Sequence, residues 1–186
     1  MKILITGHCS GIGKSIYDLL SLNGHTVLGF DRDTGYDITD LTTQETILSA
    51  LQDCDVFINN AFAREAQTQL LEKALLIWDT NNKIIINMNS IISSQDNVAD
   101  TASVYHANKL KQLNIARNYE GSVKIMSIMP GWVDTKLGDI GISQLYPPDT
   151  VVKKMNPDMI AKVVLFQIEN LSNFHIKEIQ IVSPDA

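Results

Sequence analysis

The first thirteen residues constrain the fold more than any other stretch. Lys2-Ile3-Leu4-Ile5-Thr6 is a short apolar run of strand type that opens at once into Gly7-His8-Cys9-Ser10-Gly11-Ile12-Gly13, after which apolar residues recur at helical spacing. Strand, glycine turn and helix in that order form the first unit of a parallel β-α-β layer. In such a unit the backbone amides of the turn and of the helix N-terminus can approach a phosphate group. Glycine turns also close helices and hairpins without any ligand, so the surroundings decide.

The rest of the chain repeats the alternation. Strands are predicted at Lys2–Thr6, Thr26–Asp31, Gly35–Asp37, Val56–Asn59, Lys83–Asn89, Val123–Met129 and Glu178–Val182. Helices are predicted near Gly13–Ser21, Thr43–Leu51, Arg64–Trp78, Ser103–Arg117 and Pro157–Ile168, several of them preceded by Ser, Thr or Asn. Continuous apolar strands alternating with amphipathic helices specify an α/β fold: a doubly wound parallel sheet covered on both faces, the Rossmann arrangement. The 186 residues make a single domain, 1–186, with no room for a second. Residues 131–156 carry Gly131, Gly138, Gly141 and the Pro147-Pro148 pair and have poor periodicity, so 136–156 is a candidate substrate lid.

Charge and composition exclude several classes. A formal charge of −6 without a clustered Lys/Arg stripe leaves no footprint for nucleic acid. The two cysteines, Cys9 and Cys54, give neither a disulfide framework nor metal-ligand spacing, and no His/Asp/Glu constellation reads as a metal site. The apolar stretch at Met1–Ile5 is too short for a secretory core, and no window reaches membrane-span length. A cytoplasmic protein with reduced thiols and no membrane partner is the expectation.

Asp31 closes the second strand at the distance from the glycine turn where an acidic side chain accepts hydrogen bonds from the ribose hydroxyls of a dinucleotide. The plain alternative is a solvated carboxylate at a strand end. Ser10 offers no positive charge to a 2′-phosphate and Asp31 would repel one, although Arg32 counters part of that repulsion. NAD is therefore favoured over NADP. Further along, Tyr105 and Lys109 stand four residues apart and share one face of a helix. In isolation such a pair is usually a packed tyrosine beside a solvated lysine.

Taken in order, Thr6-to-Gly13, Asp37-Ile38-Thr39-Asp40, Asn59-Asn60-Ala61, Asn87-Met88-Asn89-Ser90, Tyr105-to-Lys109 and Pro130-Gly131-Trp132-Val133-Asp134-Thr135 resemble the short-chain dehydrogenase/reductase family over most of the chain. The resemblance implies hydride transfer between a nicotinamide cofactor, NAD or NADP, and a carbonyl/alcohol substrate. It implies Tyr105 as the proton donor or acceptor, Lys109 as the cation that tunes it and binds the nicotinamide ribose, and Ser90 as the hydroxyl that holds the substrate oxygen, with Ser93 and Ser94 as rivals. For the cofactor it implies Gly7, Ser10, Gly11, Ile12, Gly13, Asp31, Arg32, Asp37, Ile38, Asn59, Asn60, Ala61, Pro130, Gly131, Val133 and Thr135 beside Tyr105 and Lys109. Asn59 reads equally well as a purely structural residue tying strands together.

The departures from the family are specific. Asp31 and Asp37 are too close for the helix that usually separates them, and the interval from Ala61 to Asn89 allows only a shortened helix in place of the one that carries a catalytic Asn. Gln67 or Gln69 is the substitute offered for that Asn. A homodimer is expected rather than the family's tetramer. The alternative function is a non-catalytic NAD(P)-binding redox sensor of the same fold.

Overall fold

The computed structural model describes residues 1–78, 83–95 and 103–184. Its strands are β1 (Lys2–Thr6), β2 (Thr26–Phe30), β3 (Val56–Asn59), β4 (Ile84–Met88), β5 (Lys124–Pro130) and β6 (Glu178–Ile181). The helices are α1 (Gly11–Leu22), α2 (Leu41–Leu51), α3 (Glu65–Ile77), α4 (Ser103–Asn118), α5 (Lys136–Leu145) and α6 (Pro157–Glu169). All the strands run parallel in one sheet, ordered β2-β1-β3-β4-β5-β6.

Side chains alternate across that sheet with the period of two that a strand imposes. Ile3 and Ile5, Val56 and Ile58, Ile84 and Ile86, and Met126 and Ile128 form one core with Ile16 and Leu20 of α1 and Ile160, Val164 and Ile168 of α6. Leu4, Phe57, Ile85 and Ile125 point the other way, into a second core with Ile47 and Leu51 of α2, Leu70, Leu71 and Ala74 of α3, and Trp78. The buried indole of Trp78 is satisfied by donating Nε1–H to the Leu51 carbonyl at 3.0 Å. Caps fix the helix starts: Asp40 accepts from the Thr42 amide, Thr135 from that of Gly138, and Asn156 from that of Asp158 ahead of Pro157.

Two expectations are corrected. Six strands are found among the described residues, not seven, because Gly35–Asp37 is not a strand. The chain leaves β2 through a 3-10 turn, Arg32–Thr34, capped by the Asp31 carboxylate and ended by Gly35 at φ 90°, a left-handed conformation suited to glycine. It then enters α2 directly, so the outer edge of the sheet stops at β2. The second correction is α5, which lies within the segment expected to be irregular. Its glycines lower helix propensity but are demanded by packing: a Cβ on Gly138 would meet the Val133 carbonyl oxygen at 2.3 Å, and one on Gly141 would meet the Trp132 ring at 2.9 Å.

Candidate active site

The strand order reverses between β1 and β3, and the crevice outside the carboxyl ends of the strands at such a switch point is where open parallel sheets take ligands. β1 ends there in the glycine turn. Gly7 has φ 75° and Gly11 φ 51°, and a Cβ on Gly13 would lie 1.8 Å from the Gly7 carbonyl oxygen. Only glycine at 13 lets α1 begin so close to β1. Ser10 caps α1 without a side-chain hydrogen bond, so amides of the first turn remain available to an anion. Asn60 braces the turn from behind, donating from Nδ2 to the carbonyls of Thr6 at 3.0 Å and Gly7 at 3.1 Å, while Thr6 Oγ1 accepts from the amides of Asn60 and Ala61.

Asp31 sits beside the turn. Its carboxylate accepts from the Cys9 amide and the Asp33 amide, each at 2.9 Å, which holds both oxygens at the corner of the crevice next to exposed Arg32. Asp37 is likewise locked by Thr39, whose amide and hydroxyl both donate to Oδ1; those bonds hold its carboxyl below the usual carboxylate range. Ile38 beside it is buried. His8, Cys9 and Asp31 offer one ligand atom each within 4.8 Å of one another, the one metal-compatible grouping among the described residues. Burial, and then Asp31, push the Cys9 thiol up, so it is held as a thiol.

The other half of the crevice holds Tyr105 and Ser90. Tyr105 and Ser90 line the same cavity, and burial pushes the Tyr105 phenol above the ordinary value although neighbouring Ser90 lowers it. Ser93 and Ser94 spend their hydroxyls inside the 3-10 turn Ile91–Ser94, donating to the carbonyls of Ser90 and Ile91. Ser90 is therefore the serine brought to the tyrosine. One helical turn below, Lys109 is 2% exposed, its Nζ 5.6 Å from the Tyr105 ring centroid and 5.3 Å from that of Phe62. Burial without a carboxylate partner lowers its pKa to about 7.

Lys109 does not face the crevice as the resemblance implies. Its ammonium donates inward to Gln67 Oε1 and to the Met88 carbonyl, both at 2.7 Å. Of the two glutamines offered, Gln67 is the one at the site; Gln69 accepts from Gln44. Gln67 also donates to the carbonyls of Asn59 and Met88 and accepts from Gln112. Asn59 joins this buried network through Gln67 and Asn87, which accounts for its burial and gives it a strand-tying place. Asn89, absent from the expected site, orients Ser90 and α4 together by accepting the Ser90 amide and donating to the Lys109 carbonyl. Its signal was present: Asn87 and Asn89 alternate with Met88 and so face α3 and α4 with Ile85.

Past β5, Gly131 donates to the Ile181 carbonyl, and Val133 is buried and bridged to Met155. The methyl of Thr135 lies 3.0 Å from the place of a Cβ on Gly11, which joins this loop to the glycine turn. Between them lies a cavity of about 430 Å³ whose lining includes Ile12, Ser90, Tyr105, Pro130, Gly131 and Thr135. A glycine turn, open helix amides and the Asp31 carboxylate lie on one side of this crevice and Tyr105 with Ser90 on the other.

No protein-family model and no curated protein matches the chain. Solved structures do. The chain is similar to the 3-alpha-hydroxysteroid dehydrogenase from Pseudomonas sp. B-0831 complexed with NADH (TM-score 0.78, 20% identity, 98% of this chain and 95% of that one). It is similar to levodione reductase (0.78, 19%, 97% and 95%). It is also similar to a short-chain dehydrogenase/reductase from Brucella melitensis (0.77, 16%, 100% and 96%). The fold is that of the short-chain dehydrogenases/reductases, here with a six-stranded sheet. No helix among the described residues is long and apolar enough to cross a membrane.

Proposed function

We propose that this protein is an NAD(P)-dependent oxidoreductase acting on a carbonyl/alcohol pair, with NAD preferred to NADP. The observation that carries the reading is that Tyr105 and Ser90 line one cavity together, one helical turn above buried Lys109. A nicotinamide cofactor, when bound, supplies or accepts the hydride. Gly7, Gly11, Gly13 and the first turn of α1 would hold its pyrophosphate, Asp31 its adenosine ribose, and Pro130, Gly131, Val133 and Thr135 its nicotinamide end; Gly13, where any side chain would collide with Gly7, supports that fit.

Ser90 holds the substrate oxygen and Tyr105 transfers the proton at that oxygen. With its phenol raised by burial, Tyr105 is protonated at neutral pH and suited to the reductive direction. Gln67 and the Met88 carbonyl keep Lys109 beneath it, from where the amine influences the phenol electrostatically. The segment 136–156 serves as the lid, assembly as a homodimer and residence in the cytoplasm belong to the same reading, and light scattering tests the second of these. One observation favours a sensor without turnover: the Lys109 ammonium is bonded inward, away from the crevice. NADH and NADPH oxidation over a panel of ketones and aldehydes separates the two, since a sensor binds cofactor and consumes none.

A further inference from the structure

Beyond the Tyr105–Ser90 pair the walls of the cavity are mostly apolar, with Asn89, Gln95 and Gln144 as uncharged polar groups among the described lining residues. Leu137, Ile140 and Leu145 of α5 face it from one side with Trp132 and Tyr146, and Ile91, Ile92 and Phe62 from the other. Among the described residues no Asp, Glu, Lys, Arg or His lines it. Lys136 opens α5 but is exposed and does not line the cavity, and Lys154 is held by Asp134 at 2.7 Å and Asp139 at 2.8 Å.

From this lining we infer that the substrate is an uncharged, largely apolar ketone, and that keto acids and phosphorylated carbonyls are excluded. The inference rests on the oxidoreductase reading and names the substrate class for the same site. A carboxylate brought into this cavity would lose water and meet no cation, a large penalty that an ester or a plain ketone escapes. An apolar ring instead gains from covering Trp132, Ile140 and Ile91. The Trp132 wall is fixed: its ring lies against Gly141, where a Cβ would be 2.9 Å away, and edge-on to Tyr146 with centroids 6.0 Å apart. Tyr105 and Ser90 bring two hydroxyls together in a mostly apolar chamber without charge among its described lining residues, so a carbonyl is the polar group they are placed to take.

Benzoylformate and its methyl ester share one ketone and differ by the charge and a single methyl group, so they test the inference directly. Each is titrated into the wild-type protein with NADH, following quenching of Trp132 fluorescence, with Trp132→Phe as the blank that leaves only Trp78. The ester is expected to bind at least about 100-fold more tightly than the acid, and Ile140→Arg, which places a cation in the wall, is expected to reverse much of that preference. Equal or tighter binding of the acid by wild type, or no binding of either compound, overturns the substrate class. Ester binding without any NADH consumption supports the class and instead overturns the oxidoreductase reading, so the two failures are distinguishable.

Discussion

Lys109 Nζ lies 2.7 Å from Gln67 Oε1, and no carboxylate accompanies this buried amine among its described partners. The ammonium is therefore stabilised by neutral dipoles alone. Its pKa falls from the usual 10.5 to about 7, so the unfolded chain holds more protons than the folded one between those values. Stability contributed by this residue should rise with pH through that window. Comparing urea unfolding of wild type with Lys109→Met, the difference in favour of wild type should increase by up to about 1.4 kcal/mol per pH unit above pH ~7 and be flat below it. A difference independent of pH from 6 to 9 would show that the amine is not perturbed. Gln67→Leu removes a partner of the charged form and should cost roughly 1–3 kcal/mol, more at pH 6 than at pH 9.

Cofactor choice should follow Asp31. Isothermal titration is expected to give tighter binding of NADH than of NADPH, and Asp31→Ala to narrow the gap by removing repulsion of a 2′-phosphate. The variant also loses the cap of the Arg32–Thr34 turn, at about 1 kcal/mol of stability. Tighter NADPH binding by wild type would mean that Arg32 governs this corner.

Gly13→Ala and Gly24→Ala separate conformational from steric demands. At 13 the new methyl would lie 1.8 Å from the Gly7 carbonyl oxygen, so cofactor affinity should fall at least about tenfold and stability by roughly 1–3 kcal/mol. Gly24 has φ 80° with open space around it, and its replacement should cost about 1 kcal/mol and leave affinity alone. Comparable loss of affinity in both variants would show that the turn is not a cofactor cradle.

Much of this arrangement is legible in the sequence because it depends on local pattern. The strands have continuous apolar runs, and the glycine turn, Ser90, Tyr105 and Lys109 occupy positions that strand and helix periods bring to one end of the sheet. Other parts are not legible because their cause is tertiary. The helix α5 is hidden by Gly138 and Gly141, which answer to Val133 and Trp132 rather than to helix propensity. The apparent strand at Gly35–Asp37 is overridden by the Asp31 cap. The inward turn of Lys109 depends on Gln67, a fully buried polar residue of α3, and only the packing of α3 on α4 shows which of two glutamines it meets.

The lid should respond to ligands. The segment 136–156 is anchored at both ends, by Thr135 against Gly11 and by the Val133–Met155 bridge, while Leu137 and Ile140 remain about half exposed. Hydrogen exchange should show protection gained across α5 when NADH and a ketone are both present. Unchanged exchange there would make it a fixed wall.

The central claim is that Tyr105 transfers the proton at the substrate oxygen, and Tyr105→Phe tests it most directly. The variant keeps the ring that packs edge-on against Phe62 and loses only the hydroxyl. With an accepted ketone, turnover should fall by at least about 100-fold while NADH affinity, measured by titration on the same sample, stays within about twofold of wild type. Turnover by Tyr105→Phe at the wild-type rate would contradict the account and move the chemistry to another residue.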